Sequence, residues 1–514
     1  MKKQILTPVL SIFVAAMLLF SSCRKSEDVI VTPPPPPPPP PPTQIVKPNQ
    51  VFFGLTAGNG LVKYNANASQ TVLEQVAVTG LQGGEKLLAI DFRPATGQLY
   101  GLGNSNRLYV INTQTGVARA IGSAPFTPAL GDPIAGFDFN PTVDRIRVVT
   151  TGGTNLRLNP ETGTVAAIDG NINNTERITG VAYTNSFAGA SATTLFDIDA
   201  YSLYKQDPPN NGTITRINNF GLPGFNVVSG DLDISPDNKV VLAPLTVGGI
   251  NNLYQIDTAT GKALDLGTLA TAIIGLAIPT NPVAYSTDMA NNLLIFNISM
   301  TGVPVTKAIT GLQAGETILG IDIRPVTGQL YALGSTSRLY TINMSSGAAA
   351  AVGAAPFTTL LAGTSFGFDF NPTVDRIRVV SNTGQNLRLD PNTGLIAAVD
   401  GTLNPGTPAV SAAAYTNNFA GTTTTSLYVI DATTDKLYLQ NPPNNGTLVE
   451  VGPLGINIDA GNGFDIGGSS NLAYGLFTTG TTTKLYSVNL TTGVATVMDN
   501  FPGLTRGFAL GLGF

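Results

Sequence analysis

The chain has 514 residues, 27 of them basic and 32 acidic, for a formal net charge of −5, and charged residues make up only 11% of the total. So weak a charge, with no basic cluster, excludes a nucleic-acid footprint. Histidine and tryptophan are absent, which removes Ser-His-Asp and Cys-His machinery, histidine metal sites and the strongest aromatic platform for sugars.

Met1-Lys2-Lys3 is followed by an apolar run from Ile5 to Phe20 and then by Ser21-Ser22-Cys23, the basic, hydrophobic and small-residue order of a secretory signal. At about 16 residues the run is too short to span a bilayer comfortably. Cys23 is the sole cysteine. Directly after two serines it resembles the lipobox cysteine of bacterial lipoproteins, with Phe20 where leucine is usual. The resemblance implies a signal over residues 1–22, lipidation of Cys23, and attachment to the membrane through that lipid, more than one acyl chain being needed for stable anchoring. Arg24-Lys25-Ser26-Glu27-Asp28 resembles the export tag of surface lipoproteins in the Bacteroidetes group, although it also reads as a plain charged tether. The expected location is therefore the cell outer membrane, lipid-anchored and surface-exposed. No disulfide can form within such a chain, so its stability must come from packing.

Pro33 to Pro42 is an unbroken proline run. Each ring fixes φ and removes an N–H, so the run should stand as a polyproline II rod roughly 31 Å long at about 3.1 Å per residue. It reads as a spacer within a tether over residues 23–50.

From Val51 the text turns to Gly, Thr, Asn, Ala, Val and Leu, and it repeats. GLQGGEKLLAIDFRPATGQLYGLGNSNRLYVINTQTG from Gly80 and GLQAGETILGIDIRPVTGQLYALGSTSRLYTINMSSG from Gly311 agree at about 23 of 37 positions, at an offset of 231. The body is thus a tandem duplication, residues 51–278 and 279–514. Within each half a Leu-Tyr-x-Ile-Asp/Asn phrase and a Thr-Gly turn recur, as LYVINTQTG at Leu108, LRLNPETG at Leu156, LYKQDPPNNG at Leu203 and LYQIDTATG at Leu253. The spacing of about 40 to 50 residues makes five units per half and ten in all. One unit reads LLAIDF, QLYGLG, RLYVIN, VARAIG, four short apolar strands separated by Gly, Pro and Asn, with no helical period. Four strands at this period predict an all-β fold of β-propeller type with ten four-stranded blades. Two spare first strands, IIGLAI before Pro279 and RGFALGLGF at the C-terminus, could each close a ring by completing an N-terminal blade. Two tandem five-bladed rings and one ten-bladed ring both fit. Pro279-Thr280-Asn281-Pro282 reaches at most about 14 Å, which argues against a crossing between rings.

The fourteen letters GFDFNPTVDRIRVV occur at Gly136 and again, unchanged, at Gly367. Set beside AIDFRPATGQLYGL at Ala89 they form one more strand-turn-strand hairpin, with proline presetting the turn. Strand alternation places Asp138, Arg145, Arg147 and Arg157 on one side, and Asp369, Arg376, Arg378 and Arg388 likewise in the second half. Such a cluster reads either as a paired network between blades or as a bidentate seat for a carboxylate, sulfate or phosphate. DPPNNGT at Asp207 and NPPNNGT at Asn441 are matching turn-forming loops. Asp91, Asp233, Asp322 and Asp465 fall in the presumed innermost strands. No calcium-loop spacing accompanies them, so capping is expected there, with no metal and no cofactor.

The D-F-N-P-T-V-D-R-I-R-V-V text, with N-L-R-L-[ND]-P-x-T-G after it and I-D-[FI]-R-P-x-T-G-Q-L-Y before it, resembles an uncharacterised bacterial domain family of unknown function, in two copies. That resemblance implies no activity and no site residues. The function expected is a surface-anchored, non-catalytic module binding a glycan, a peptide or another envelope protein. An extracellular propeller enzyme such as a polysaccharide lyase or hydrolase is the alternative, and a structural or adhesive envelope protein a second.

Overall fold

The computed structural model describes residues 46–172, 176–222, 227–459 and 463–514. The signal segment, Cys23, the charged tether and the proline run lie outside the described residues. Among the described residues no helix is long and apolar enough to cross a membrane.

The chain from Lys47 onward is one compact unit, and its described residues form ten antiparallel sheets, nine of four strands and one of five. Burial is graded along each sheet. In the sheet that opens with the repeated fourteen letters, strand Ala135–Asn140 is buried at five of its six positions, and Arg145–Thr150 likewise. The outermost strand Val165–Ile168 alternates half-buried and exposed. First strands packed on both faces therefore read as nearly continuous apolar text, and last strands as alternating text. The Asn140–Arg145 turn closes on a hydrogen bond from Asp144 N–H to Asn140 O at 3.0 Å. Asp144 sits at φ 51° and its counterpart Asp375 at the same value, a left-handed conformation that Asp tolerates better than most residues.

The five-stranded sheet departs from the expected four. Val227–Ser229 and Asp233–Ile234 both pair with Val241–Val247, because Pro244 in that partner strand has no N–H to continue the ladder. Gly230 N–H still bonds to Pro244 O at 3.1 Å, and the register steps by one extra residue between Ser229 and Asp233, a bulge whose Asp231 and Leu232 are buried.

The first strands pack on one another in sequence. Gly275–Ala277 lies on Leu87–Phe92, which lies on Ala135–Asn140, then Gly180–Tyr183, then Asp233–Ile234. Ile278 N–H, just past Gly275–Ala277, bonds to Asp233 at 2.5 Å and returns the succession to its start. In the second half Ile318–Ile323, Phe366–Asn371, Val410–Tyr415, Gly463–Ile466 and Thr505–Leu510 follow one another, and the last packs on the first. Glycine makes this approach possible: a Cβ on Gly136 would stand 2.7 Å from Val181 N, and one on Gly367 2.6 Å from Ala413 Cβ.

Both spare strands find partners within their own half. Gly275–Ala277 pairs with Val51–Leu55, and the C-terminal Thr505–Leu510 pairs with Ala284–Asp288. Among the described residues no sheet draws strands from both sides of Pro279. The short link suffices because the halves abut beside it: Tyr285 OH donates to Ala95 O at 2.7 Å, and Gly513 N–H to Thr96 O at 2.8 Å.

Candidate functional site

Arg147 stands opposite both Asp138 and Arg157 across the ladder, as alternation along the strands requires. It is 1% exposed, and its guanidinium is surrounded by protein acceptors. Nη1 donates to Asn155 Oδ1 and Asp169 Oδ2, both at 2.6 Å, Nη2 to Asn210 Oδ1 at 2.7 Å and Nε to Tyr183 OH at 3.2 Å. Arg157 forks onto Asp169 with two bonds of 2.8 Å. Arg145 instead bonds to the Asp144 carbonyl at 2.7 Å. Burial pushes the Asp169 carboxyl up, but hydrogen bonds from Arg157 and Arg147 outweigh it and hold the group below the usual carboxylate range.

The second half repeats the knot. Arg378 reaches Asp400 at 2.6 Å, Asn386 at 2.7 Å, Asn444 at 2.8 Å and Tyr415 OH at 3.3 Å. Arg388 forks onto Asp400 at 2.7 and 2.9 Å, and Arg376 bonds to the Asp375 carbonyl at 2.9 Å. A cavity of about 420 Å³ opens over Arg378, Tyr415 and Asn444. Asp169, Asp400, Asn210 and Asn444 were not singled out from sequence. Their signal was there, in the Asp-Gly pair and the P-P-N-N-G text that recur in both halves.

Asp138 and Asp369 turn away from these arginines, toward the place where the first strands meet. Asp138 accepts the Tyr183 N–H at 3.2 Å, and Asp369 the Tyr415 N–H at 3.0 Å. Each is one of a set. Asp91 accepts N–H groups from Phe92 and Phe139 at 2.6 and 2.8 Å, and Asp233 those of Ile234 and Ile278, both at 2.5 Å. Asp322 and Asp465 do the same for Phe370 and Leu510. The capping expected of these residues is thus present, each carboxylate holding the backbone of the next sheet. Carboxylate oxygens of Asp91, Asp138 and Asp233 lie within 4.8 Å of one another, as do those of Asp322, Asp369 and Asp465. Burial raises all six, Asp233 and Asp465 to about 7, and mutual repulsion adds to the rise at Asp91, Asp138, Asp322 and Asp369.

A larger concavity, about 740 Å³, lies at the outer part of the sheet from Gly180 to Asn219. Tyr201, Tyr204 and Phe220 give it aromatic surface, and Arg177 and Arg216 with Glu176 and Asp199 give it charge of both signs. Tyr201 is 50% exposed. Asp199 holds the turn beneath it, accepting the N–H groups of Tyr201 and Ser202 at 2.7 Å and the Tyr204 hydroxyl at 2.8 Å.

The model of a family described as a domain of unknown function, DUF4394, matches residues 60–277 and again residues 292–509. The chain belongs to this family. Both DUF4394 copies carry the arginine knot and the three converging aspartates; the 740 Å³ concavity lies in the first copy. Among curated proteins, outer membrane protein A of Rickettsia rickettsii is 26% identical over 310 residues, which is 56% of this chain and 12% of that protein. The chain therefore spans about one eighth of that relative's length. Two solved structures align at 13% identity and a TM-score of 0.26 over 88% of this chain. One is the extracellular domain of a putative one-component system from B. thetaiotaomicron, 59% covered. The other is PorZ, a surface component of the type-IX secretion system of Porphyromonas gingivalis, 58% covered.

Proposed function

We propose that the two DUF4394 copies are five-bladed β-propellers, displayed outside the cell on the lipid of Cys23, and that they serve as a non-catalytic module binding a glycan or peptide that carries acid groups. The propeller arrangement is supported by the unbroken succession of first strands in each half and by the pairing of each half's last strand with its own first sheet. An envelope location is supported by the N-terminal signal text and by the name of the Rickettsia relative.

The observation that carries the binding role is the contrast between the knots and the concavity. Arg147 and Arg378 spend their donors on protein acceptors, so in this reading they join sheets. The concavity near Tyr201 instead presents aromatic faces beside Arg177 and Arg216, a combination suited to stacking and to pairing with a carboxylate or sulfate. Glycan and peptide arrays probed with the full-length protein test this. Acidic ligands should be retained without turnover, and Tyr201→Ala with Arg216→Ala should weaken retention at least tenfold while leaving the melting temperature unchanged. Product formation would favour the enzyme alternative, and an empty array the structural one.

A further inference from the structure

We propose that the junction between the halves binds a small organic monoanion, a carboxylate on an apolar body, with Arg119 as its counter-ion. A cavity of about 470 Å³ lies there, of a size usual for small-molecule sites and at the kind of place, between two packed bodies, where such sites are preferred. Phe92, Leu99 and Ile111 of the first half supply one apolar wall, and Phe419, Ala420 and Leu512 of the second supply the other. Backbone holds the walls in place. Gly513 N–H bonds to Thr96 O at 2.8 Å, and a Cβ on Gly513 would stand 2.1 Å from Gly97 O. Both glycines line the cavity, so the halves touch at its border without a side chain between them.

Arg119 is the one charged residue among those that line the cavity. Strand pairing sets it opposite Val110, a lining residue too, so both side chains stand on the same face of their sheet. The half-buried guanidinium donates to two backbone carbonyls, Ala120 O at 3.3 Å and Val326 O at 2.7 Å. Burial holds it below its usual range, and the attractions of Tyr100 and Asp375 do not make up the difference. Asp375 is already forked onto Arg324. A carbonyl asks only for an N–H, which a neutral side chain could give. A full positive charge in a wall of apolar groups stays costly until an anion is set against it, and a planar carboxylate can take two guanidinium N–H groups at once.

The second half supplies the contrast. Ala350 stands opposite Thr341 as Arg119 stands opposite Val110, and the strand that reads ARAI in the first half reads AAAV there. Strand and pairing are kept in both copies, so the fold does not need an arginine at this position. The cation is present in the copy whose strand borders this cavity. The apolar walls suit an acyl chain or a ring, and Arg119 suits the carboxylate it carries. A neutral alcohol lacks the second contact, and acetate lacks the first.

The test is isothermal titration of the full-length protein with octanoate, octanol and acetate, with thermal unfolding in each. Octanoate should bind at about one site per chain and raise the melting temperature, as a ligand of the native state alone does. Octanol keeps the chain without the charge and should bind at least about tenfold more weakly, the loss expected when a hydrogen bond to a charged group goes. Acetate should not bind. Arg119→Gln keeps a donor for Val326 O and should weaken octanoate to the same degree. Ala420→Leu, which fills the cavity, should weaken octanoate and octanol together. Equal binding of octanoate and octanol, two equivalent octanoate sites per chain, octanoate binding untouched by Arg119→Gln or by Ala420→Leu, or no octanoate binding to wild type would each overturn the proposal. If Arg119→Gln did not fold, the ratio of octanoate to octanol and Ala420→Leu would still decide.

Discussion

Arg147 Nη2 donates to Asn210 Oδ1 at 2.7 Å, which ties the core of one sheet to a turn of the next. Arg378 and Asn444 make the same tie at 2.8 Å. Asn210→Ala leaves a buried guanidinium N–H without its acceptor and should cost about 1–3 kcal/mol. Arg147→Ala breaks a buried, hydrogen-bonded ion pair with Asp169 and should cost about 3–5 kcal/mol. Urea unfolding of the two variants checks both figures, and retention of acidic ligands should be unaltered wherever the variant remains folded.

The close approach of first strands predicts an unequal response to alanine. Gly367→Ala would drive a Cβ to 2.6 Å from Ala413 Cβ and 2.7 Å from Ala413 N, so backbone must move; a loss of about 1–3 kcal/mol or more is expected. Gly302→Ala, whose Cβ would meet nothing within 4 Å, should be within about 0.5 kcal/mol of wild type, as for other surface changes. Thermal unfolding of the pair separates the two outcomes.

The converging acids set a pH dependence. Burial raises Asp465 to about 7, whereas an unfolded Asp titrates near about 3.9. Between those values the native state binds more protons than the unfolded chain, so the stability from this group is complete below the unfolded value and lost as pH rises toward 7. Asp322 and Asp369, raised by burial and by their neighbours, act in the same direction. Asp169, held low, acts oppositely and loses its contribution as pH falls. The melting temperature should therefore rise on going from pH 8 to pH 5, and Asp465→Asn should flatten the curve.

The junction between the halves rests on few polar contacts. Tyr285→Phe removes the donor to the Ala95 carbonyl and should cost about 1 kcal/mol. Arg119→Ala removes the bond to Val326 O at 2.7 Å and should act in the same direction. Differential scanning calorimetry of the double variant should resolve two transitions where wild type unfolds in one.

The duplication, the strand-turn text and the number of sheets were legible from sequence because strand period and turn chemistry are local, and because sheets covered on both faces leave continuous apolar runs. The arginine knot was half legible. Alternation put Asp138 and Arg147 on one side of a sheet, and the register agrees, yet alternation does not say toward which neighbour a carboxylate turns. Asp138 joined acids 47 and 95 positions away, Asp91 and Asp233, while Arg147 found Asp169 and Asn210, 22 and 63 positions away.

From Val51 onward the sequence alone settled which segments are strands and which are turns, since period and turn residues act within a few positions. Tertiary structure alone decided which edge each spare strand completes. Val51–Leu55 and Ala284–Asp288 offer similar apolar edges, and only the packing of first strands and the contact at Tyr285 choose between them.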